Sequence, residues 1–167
     1  MSRLIRNRLD LVLTGGVVIT QQGAVEADIG VRDGRIHALA GRGELDGEQV
    51  LNLAGLHVFP GVIDPHTHPG NLRPFEQDIE EETRAAAVGG ITSMFATVKC
   101  TRMGQPFKEI VTAEDVCSYH EVFPLARETV EKSSYTDVGF SYVMMNDQHA
   151  YEIPEYVREH GVRSFKF

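Results

Sequence analysis

The sequence predicts an α/β chain: a small antiparallel β-sandwich domain over residues 1–56, then the first half of a TIM-like (β/α)8 barrel over residues 57–167. Three observations predict it. Short β-branched segments separated by glycine turns fill the first third of the chain. After residue 57 the rhythm changes to strand, helix, strand, which implies a parallel sheet. Between the two lies an apolar run ending in His66-Thr67-His68, the way a barrel strand delivers two imidazoles to one place.

In the first region Leu11-Val12-Leu13, Val17-Val18-Ile19, Ile29-Gly30-Val31, Ile36 to Leu39 and Leu51-Asn52-Leu53 read as strands. Gly15-Gly16, Gln22-Gly23 and Asp33-Gly34 supply the turns, Asp-Gly being a strong hairpin signal because both positions tolerate positive φ. Val58-Phe59 and Val62-Ile63 then lead into the histidines as a buried strand would. Glu76 to Val88 reads as a helix, with acids in its first turns and Gly89-Gly90 as its stop, followed directly by a strand over Ile91 to Val98. Thr112-Ala113-Glu114-Asp115 resembles a capping box opening a further helix, in which Pro124 is a kink or the first position of the next helix. Val138 to Met145 is the third strand, Ile153 to His160 a helix ended by Gly161, and Val162 to Phe167 a fourth strand. No glycine-rich phosphate loop follows any strand, and no repeat or low-complexity segment occurs. Residues 57–167 are less than half of the roughly 250 that a complete barrel needs, so the expectation is that a longer chain or a second polypeptide supplies the remainder.

Composition narrows the function classes. With 42% hydrophobic and 24% charged residues the chain is globular. Its 24 acidic against 16 basic residues give a net charge of -8 without a basic stripe, which argues against nucleic acid and anionic membranes as partners. No apolar run approaches the ~20 residues of a membrane span. Arg3, Arg6 and Arg8 precede only Leu11-Val12-Leu13, too short for the apolar region of a signal peptide, and a cytoplasmic location is expected. Cys100 and Cys117 follow no ligand or redox spacing and read as small core residues.

Two local patterns carry chemistry. Residues two apart on a strand share a face, so His66 and His68 point the same way with Asp64 behind them, and imidazole is a good ligand for zinc-class metals. Taken alone, His-x-His is as easily a pair of surface residues. In Ser164-Phe165-Lys166-Phe167, alternation turns the phenylalanines to one face and Ser164 and Lys166 to the other. An unpaired ammonium inside a barrel is costly, which leaves an ion pair, a depressed pKa or chemical conversion open, besides a plain solvent-exposed lysine. Conversion means addition of carbon dioxide to the neutral amine, giving a carbamate whose two oxygens can bridge cations about 3.5 to 4 Å apart.

Four motifs in order resemble the cyclic amidohydrolases, in particular the hydantoinase and dihydropyrimidinase branch of the amidohydrolase superfamily. They are Val31-Arg32-Asp33-Gly34-Arg35-Ile36, Pro60 to His68, Thr83 to Thr92, and Gly161 to Lys166, spanning nearly the whole chain. The resemblance implies a metal-dependent hydrolase that opens a cyclic amide, a hydantoin, dihydropyrimidine or similar ring, with a hydroxide bridging two divalent metal ions, zinc by preference. It implies that His66 and His68 bind the first metal, that Lys166 is carboxylated by carbon dioxide and bridges both, and that Asp64 orients a ligand rather than binding metal. The family's remaining ligands, its aspartate base and an oxyanion-stabilising tyrosine lie beyond Phe167, so no catalytic residue is assigned within the chain. His120, His149 and His160, with His37 and His57, read as solvated or locally bonded and not as substitutes.

Dihydroorotases carry arginine two residues after His-x-His, whereas this chain has Gly70, which counts against a dihydroorotate-type substrate. Asn71, Arg73 and the Lys99-Cys100-Thr101-Arg102 loop follow the first two barrel strands and are candidates for the pocket mouth. A homotetramer or homodimer is implied as well. The competing readings are a non-catalytic relative like the collapsin response mediators, which act through assembly, and an isolated fragment inactive without the rest of the barrel. Retention of His66, His68 and Lys166 favours the enzyme.

Overall fold

The computed structural model describes residues 8–101 and 113–167, and they fall into two compact units divided between Pro60 and Gly61. The first unit contains β1 (Leu9–Thr14), β2 (Val17–Thr20), β3 (Gly23–Glu26), β4 (Asp28–Arg32), β5 (Arg35–Ala40), β6 (Gly47–Asn52) and β7 (His57–Val58). They form a four-stranded sheet in the order β5-β4-β1-β6 and a three-stranded sheet in the order β3-β2-β7. Val18 and Val58 from one sheet meet Leu13, Ile29 and Val31 from the other in a shared apolar cluster. Asp33 and Gly34 both have positive φ, as the β4–β5 hairpin requires.

The expectation of purely antiparallel pairing is corrected, since β1 pairs with β6 and β2 with β7 in parallel. The cause is that β6 and β7 return after long excursions and lie alongside partners far earlier in the chain. Because β7 adds to the first unit, the division falls four residues later than the change in rhythm at residue 57 suggests.

In the second unit β8 (Val62–Thr67), α1 (Phe75–Val88), β9 (Ile91–Val98), α2 (Tyr119–Ser133), β10 (Asp137–Val143), α3 (Asp147–Glu159) and β11 (Ser164–Lys166) alternate. The four strands form one parallel sheet in the order β11-β10-β9-β8. Met94, Ala96 and Val98 lie at alternate positions of β9 and are buried. Ala96 and Val98 join Tyr142 of β10 in one core with Phe75 and Ile79 of α1, Tyr119, Val122, Phe123 and Ala126 of α2, and Tyr156 of α3. All three helices therefore contribute to the same core as one face of the sheet. Gly61 lies against β9 so closely that a Cβ there would come within 2.1 Å of Thr92 Oγ1.

Several expectations change. Phe59 is exposed rather than buried, as are Val62 and Ile63, which begin β8, an edge strand with β9 as its one neighbour among the described residues. Ala113–Asp115 forms a single 3-10 turn instead of opening a helix, and Thr112 lies outside the described residues. The α2 helix starts at Tyr119, where Ser118 Oγ accepts the His120 N–H, and Pro124 sits inside it. The α3 helix starts at Asp147, six residues before the expected Ile153, because Asn146 caps it and Pro154 is carried in its interior. His149, expected in a loop, therefore lies in the first turn of α3. No helix among the described residues is long and apolar enough to cross a membrane.

Candidate metal centre

The strand order sets a geometric problem. His66 is on β8 and Lys166 on β11, opposite edges of the sheet, and three steps of about 4.8 Å put flat strands roughly 14 Å apart. Side chains rising perpendicular from a flat sheet would keep that separation. Yet Lys166 Nζ lies 3.4 Å from His66 Nε2, so the sheet is concave on this face and directs the two side chains toward one another. His68, just past the end of β8, joins them with its ring 4.6 Å from that of His66 and nearly perpendicular to it. Residues 100 positions apart thus share one site at the C-terminal ends of the parallel strands.

The floor beneath them is small and polar. Thr97, Ser141 and Ser164 occupy one row across β9, β10 and β11. Ser164 Oγ donates to Ser141 Oγ at 2.9 Å, and the Thr97 hydroxyl is buried without a partner among the described residues. Lys166 and Ser164 share this face while Phe165 packs on the helical core, which is the alternation read from the sequence.

Electrostatics make the site receptive to metal. The His68 imidazole is pushed below its ordinary pKa by partial desolvation and then by the nearby positive groups Lys166, His66 and Lys99. A neutral imidazole is the form that binds a cation. Lys99 is likewise pushed down, by burial first and by Lys166 second. Two imidazoles and a lysine nitrogen converging at a strand edge fit a zinc-class ion. Among the described residues no group of three or more His, Cys, Asp or Glu side chains gathers to hold a metal; the side chains that converge here are His66, His68 and Lys166.

Asp64 acts on the main chain beside the histidines. Its Oδ1 accepts the backbone N–H of His66 at 3.1 Å, which fixes the main chain at the ligand instead of the imidazole ring. Gly70 has φ +84° and donates its N–H to Asp78 Oδ2 at 2.8 Å, a conformation strained for arginine or any other side chain. Arg73 turns to α1, where it pairs with Asp78, Glu81 and Glu82. Asn71 Oδ1 accepts a hydrogen bond from Lys99 Nζ at 2.8 Å, linking the loop after β8 to the end of β9. Sequence reasoning placed both residues at the mouth but missed this link, for which nothing in the local pattern is a signal. Arg102 lies outside the described residues.

The other histidines have local partners. His149 is fully buried, its Nδ1 accepting the Met145 N–H and its Nε2 lying 3.1 Å from the Cys117 carbonyl; these bonds select the neutral ring with Nε2–H. His120 Nε2 is 3.6 Å from Glu155, His160 packs on Phe123, and His37 Nε2 is 3.3 Å from Arg32. His57 lies on β7 near Phe59. Cys100 is buried and its thiol is pushed up by desolvation, in keeping with a core residue. A depression of about 830 Å³ lined by Phe95, Phe123, Val130 and Phe140 contains none of the three converging side chains. Arg127, Glu131, Glu159 and Arg163 also line it, and the convergence of nitrogen groups, not volume, marks the candidate site.

Comparison with known proteins agrees with this geometry. Residues 2–52 match the urease alpha-subunit N-terminal domain. The chain is 30% identical over 171 aligned residues to D-hydantoinase of Geobacillus stearothermophilus, covering 99% of this chain and 32% of that protein. An allantoinase of Deinococcus radiodurans is 43% identical over 88 residues, 51% of this chain and 19% of the relative. Among solved structures, a D-hydantoinase superposes with a TM-score of 0.70 at 27% identity, covering 92% of this chain and 32% of that one. The D-hydantoinase of Bacillus sp. AR9 gives 0.72 at 25%, covering 93% and 32%. The chain thus spans about a third of the length of the hydantoinases it matches. With the parallel sheet, its converging edges and these matches together, the chain belongs to the amidohydrolase superfamily, among the cyclic amidohydrolases.

Proposed function

We propose that the protein is a metal-dependent hydrolase of cyclic amides, that its second unit forms part of a (β/α)8 barrel, and that His66, His68 and Lys166 hold a two-metal centre in which Lys166 is carboxylated. The observation that carries this reading is the 3.4 Å approach of Lys166 Nζ to His66 Nε2 across a four-stranded sheet. As an ammonium this lysine can only donate a hydrogen bond to the imidazole, whereas as a carbamate it would present two anionic oxygens to cations held by the imidazoles. Bound divalent ions would acidify a water molecule and polarise the ring carbonyl.

The chain's own residues have the following parts. His66 and His68 present ring nitrogens from one strand end, and desolvation with neighbouring positive charge pushes His68 below its ordinary pKa, toward the form that binds a cation. Asp64 fixes the main chain from which His66 projects. Thr97, Ser141 and Ser164 keep the floor small enough to admit a ring above it. The Lys99–Asn71 hydrogen bond holds the mouth between two strand ends.

The test is metal content and intact mass of the natural-length protein, together with hydrolysis of hydantoin and dihydrouracil. Near two equivalents of zinc-class metal, an added mass of about 44 Da lost on Lys166→Ala, and ring opening are expected. A protein that binds no metal and opens neither ring would end this reading and favour the non-catalytic assembly role.

A further inference from the structure

We infer that Cys100 and Cys117 are a paired thiol site that a hydroperoxide converts to a disulfide, joining the segment that leaves β9 to the residue before the α2 cap. The inference stands apart from the proposed hydrolase reading. The two cysteines follow no redox spacing in sequence, but the antiparallel bridge between Thr101 and Val116 makes Cys100 and Cys117 the next pair in register. The Cys117 N–H donates to the Cys100 carbonyl at 3.0 Å, as that register requires. Directly opposed antiparallel residues have Cα atoms about 4.5 to 5.5 Å apart. A disulfide spans about 4.4 to 6.8 Å between the same atoms, so the backbone spacing suits the bond. Both side chains turn the same way, Cys100 within the helical core and Cys117 packed against it.

The main chain of the pair is held on the far side as well. His149 Nε2–H donates to the Cys117 carbonyl at 3.1 Å, and Ser118, the next residue, caps α2. The two thiols differ in access. Cys117 is half-buried and is the one a small oxidant meets, whereas Cys100 is 0% exposed, its thiol pushed up by burial with the Tyr119 hydroxyl as hydrogen-bond neighbour. This asymmetry orders the chemistry. The Cys117 sulfur attacks the O–O bond of hydrogen peroxide, giving a sulfenic acid and one water. The Cys100 sulfur then attacks the Cys117 sulfur; the S–S bond forms, the S–O bond breaks, and the departing hydroxide leaves as water with the Cys100 proton. In sum two thiols lose two electrons to one peroxide, which becomes two waters.

The test is graded hydrogen peroxide treatment of the natural-length protein, then alkylation in denaturant and peptide mass mapping, for the native protein, Cys100→Ala and Cys117→Ala. In the native protein the Cys100 and Cys117 peptides are expected to emerge joined, about 2 Da lighter than their sum, and to separate again with dithiothreitol. Cys100→Ala should leave Cys117 to run on to sulfinic acid, an added mass of about 32 Da, and Cys117→Ala should leave Cys100 fully alkylated because peroxide does not reach it. The joined protein should unfold at a higher temperature than the reduced one. Native protein with both thiols alkylated after treatment, or with Cys117 as sulfinic acid while Cys100 stays a thiol, would overturn the inference. So would a disulfide that lowers the unfolding temperature, since the pair would then not be in place before the bond forms. The native protein alone decides this if a variant does not fold, and absence of bound metal or of ring opening would end the hydrolase reading without touching the thiol pair.

Discussion

Asp28 in the first unit and the His66, His68 and Lys166 group in the second are both sets of ionisable side chains on strands, and they resolve their charges in opposite ways. Asp28 is 1% exposed, though beneath only a thin layer of protein, and is met by donors alone: the Gly43 N–H at 2.7 Å, the Gly15 N–H at 3.0 Å and the Thr14 hydroxyl at 2.9 Å. The Gly43 N–H first, then Gly15, Thr14 and the charge of Arg42, hold its carboxyl below the ordinary range against the cost of burial. In the second unit, nitrogen faces nitrogen across 3.4 Å, and desolvation with neighbouring positive charge pushes the His68 imidazole below its ordinary pKa. The carboxylate is a finished interaction that serves the fold. The nitrogen cluster is held by the curvature of the sheet, and under the proposed function bound metal ions would complete it.

The contrast is broken most severely at Lys166. Lys166→Ala should reduce metal affinity on the order of 100-fold or more by equilibrium dialysis, while the unfolding free energy in urea stays within about 0.5 kcal/mol of native because only an exposed contact with His66 is lost. Asp28→Ala should do the reverse, costing about 2 to 3 kcal/mol in urea unfolding by stranding buried donors, with metal uptake unchanged per folded molecule. Gly61→Ala should cost about 1 to 2 kcal/mol through collision with Thr92, and Thr92→Ala in the same chain should recover most of it.

The smallest effect is a pH dependence. Because the Asp28 pKa is lowered in the folded state, the unfolded chain binds the extra proton; the stabilisation is complete above the unfolded carboxylate value of about 3.9 and is lost as pH falls through the folded value. Unfolding of Asp28→Asn should lack that acid-side slope, and an identical slope in the variant would remove Asp28 as its source.

What was legible in the sequence depended on how local its cause was. Ile91–Val98 was read to the residue because a Gly-Gly stop and a run of strand formers bound it on the N-terminal side. Lys166 was assigned to the face it shares with Ser164 from alternation alone, and its Nζ lies 3.4 Å from His66 Nε2. The start of α3 was missed because Pro154 looks like a boundary in sequence, whereas Asn146 capping the His149 N–H begins the helix two turns earlier. Strand β3 was missed since all four of its residues are exposed and carry no periodic signal. Glu152 was passed over for a similar reason: it reaches from α3 to accept from Ser118 Oγ and the Tyr119 N–H, and such a cap across 33 residues leaves no trace in either helix alone.

The same separation that hides contacts from the sequence also orders events in time. His66 and Lys166 are 100 residues apart, so their approach needs one of the longest loop closures in the chain, and it needs β8, β9, β10 and β11 to have paired in sequence across the sheet. A spectroscopic probe placed on that pair would therefore report completion of the parallel sheet.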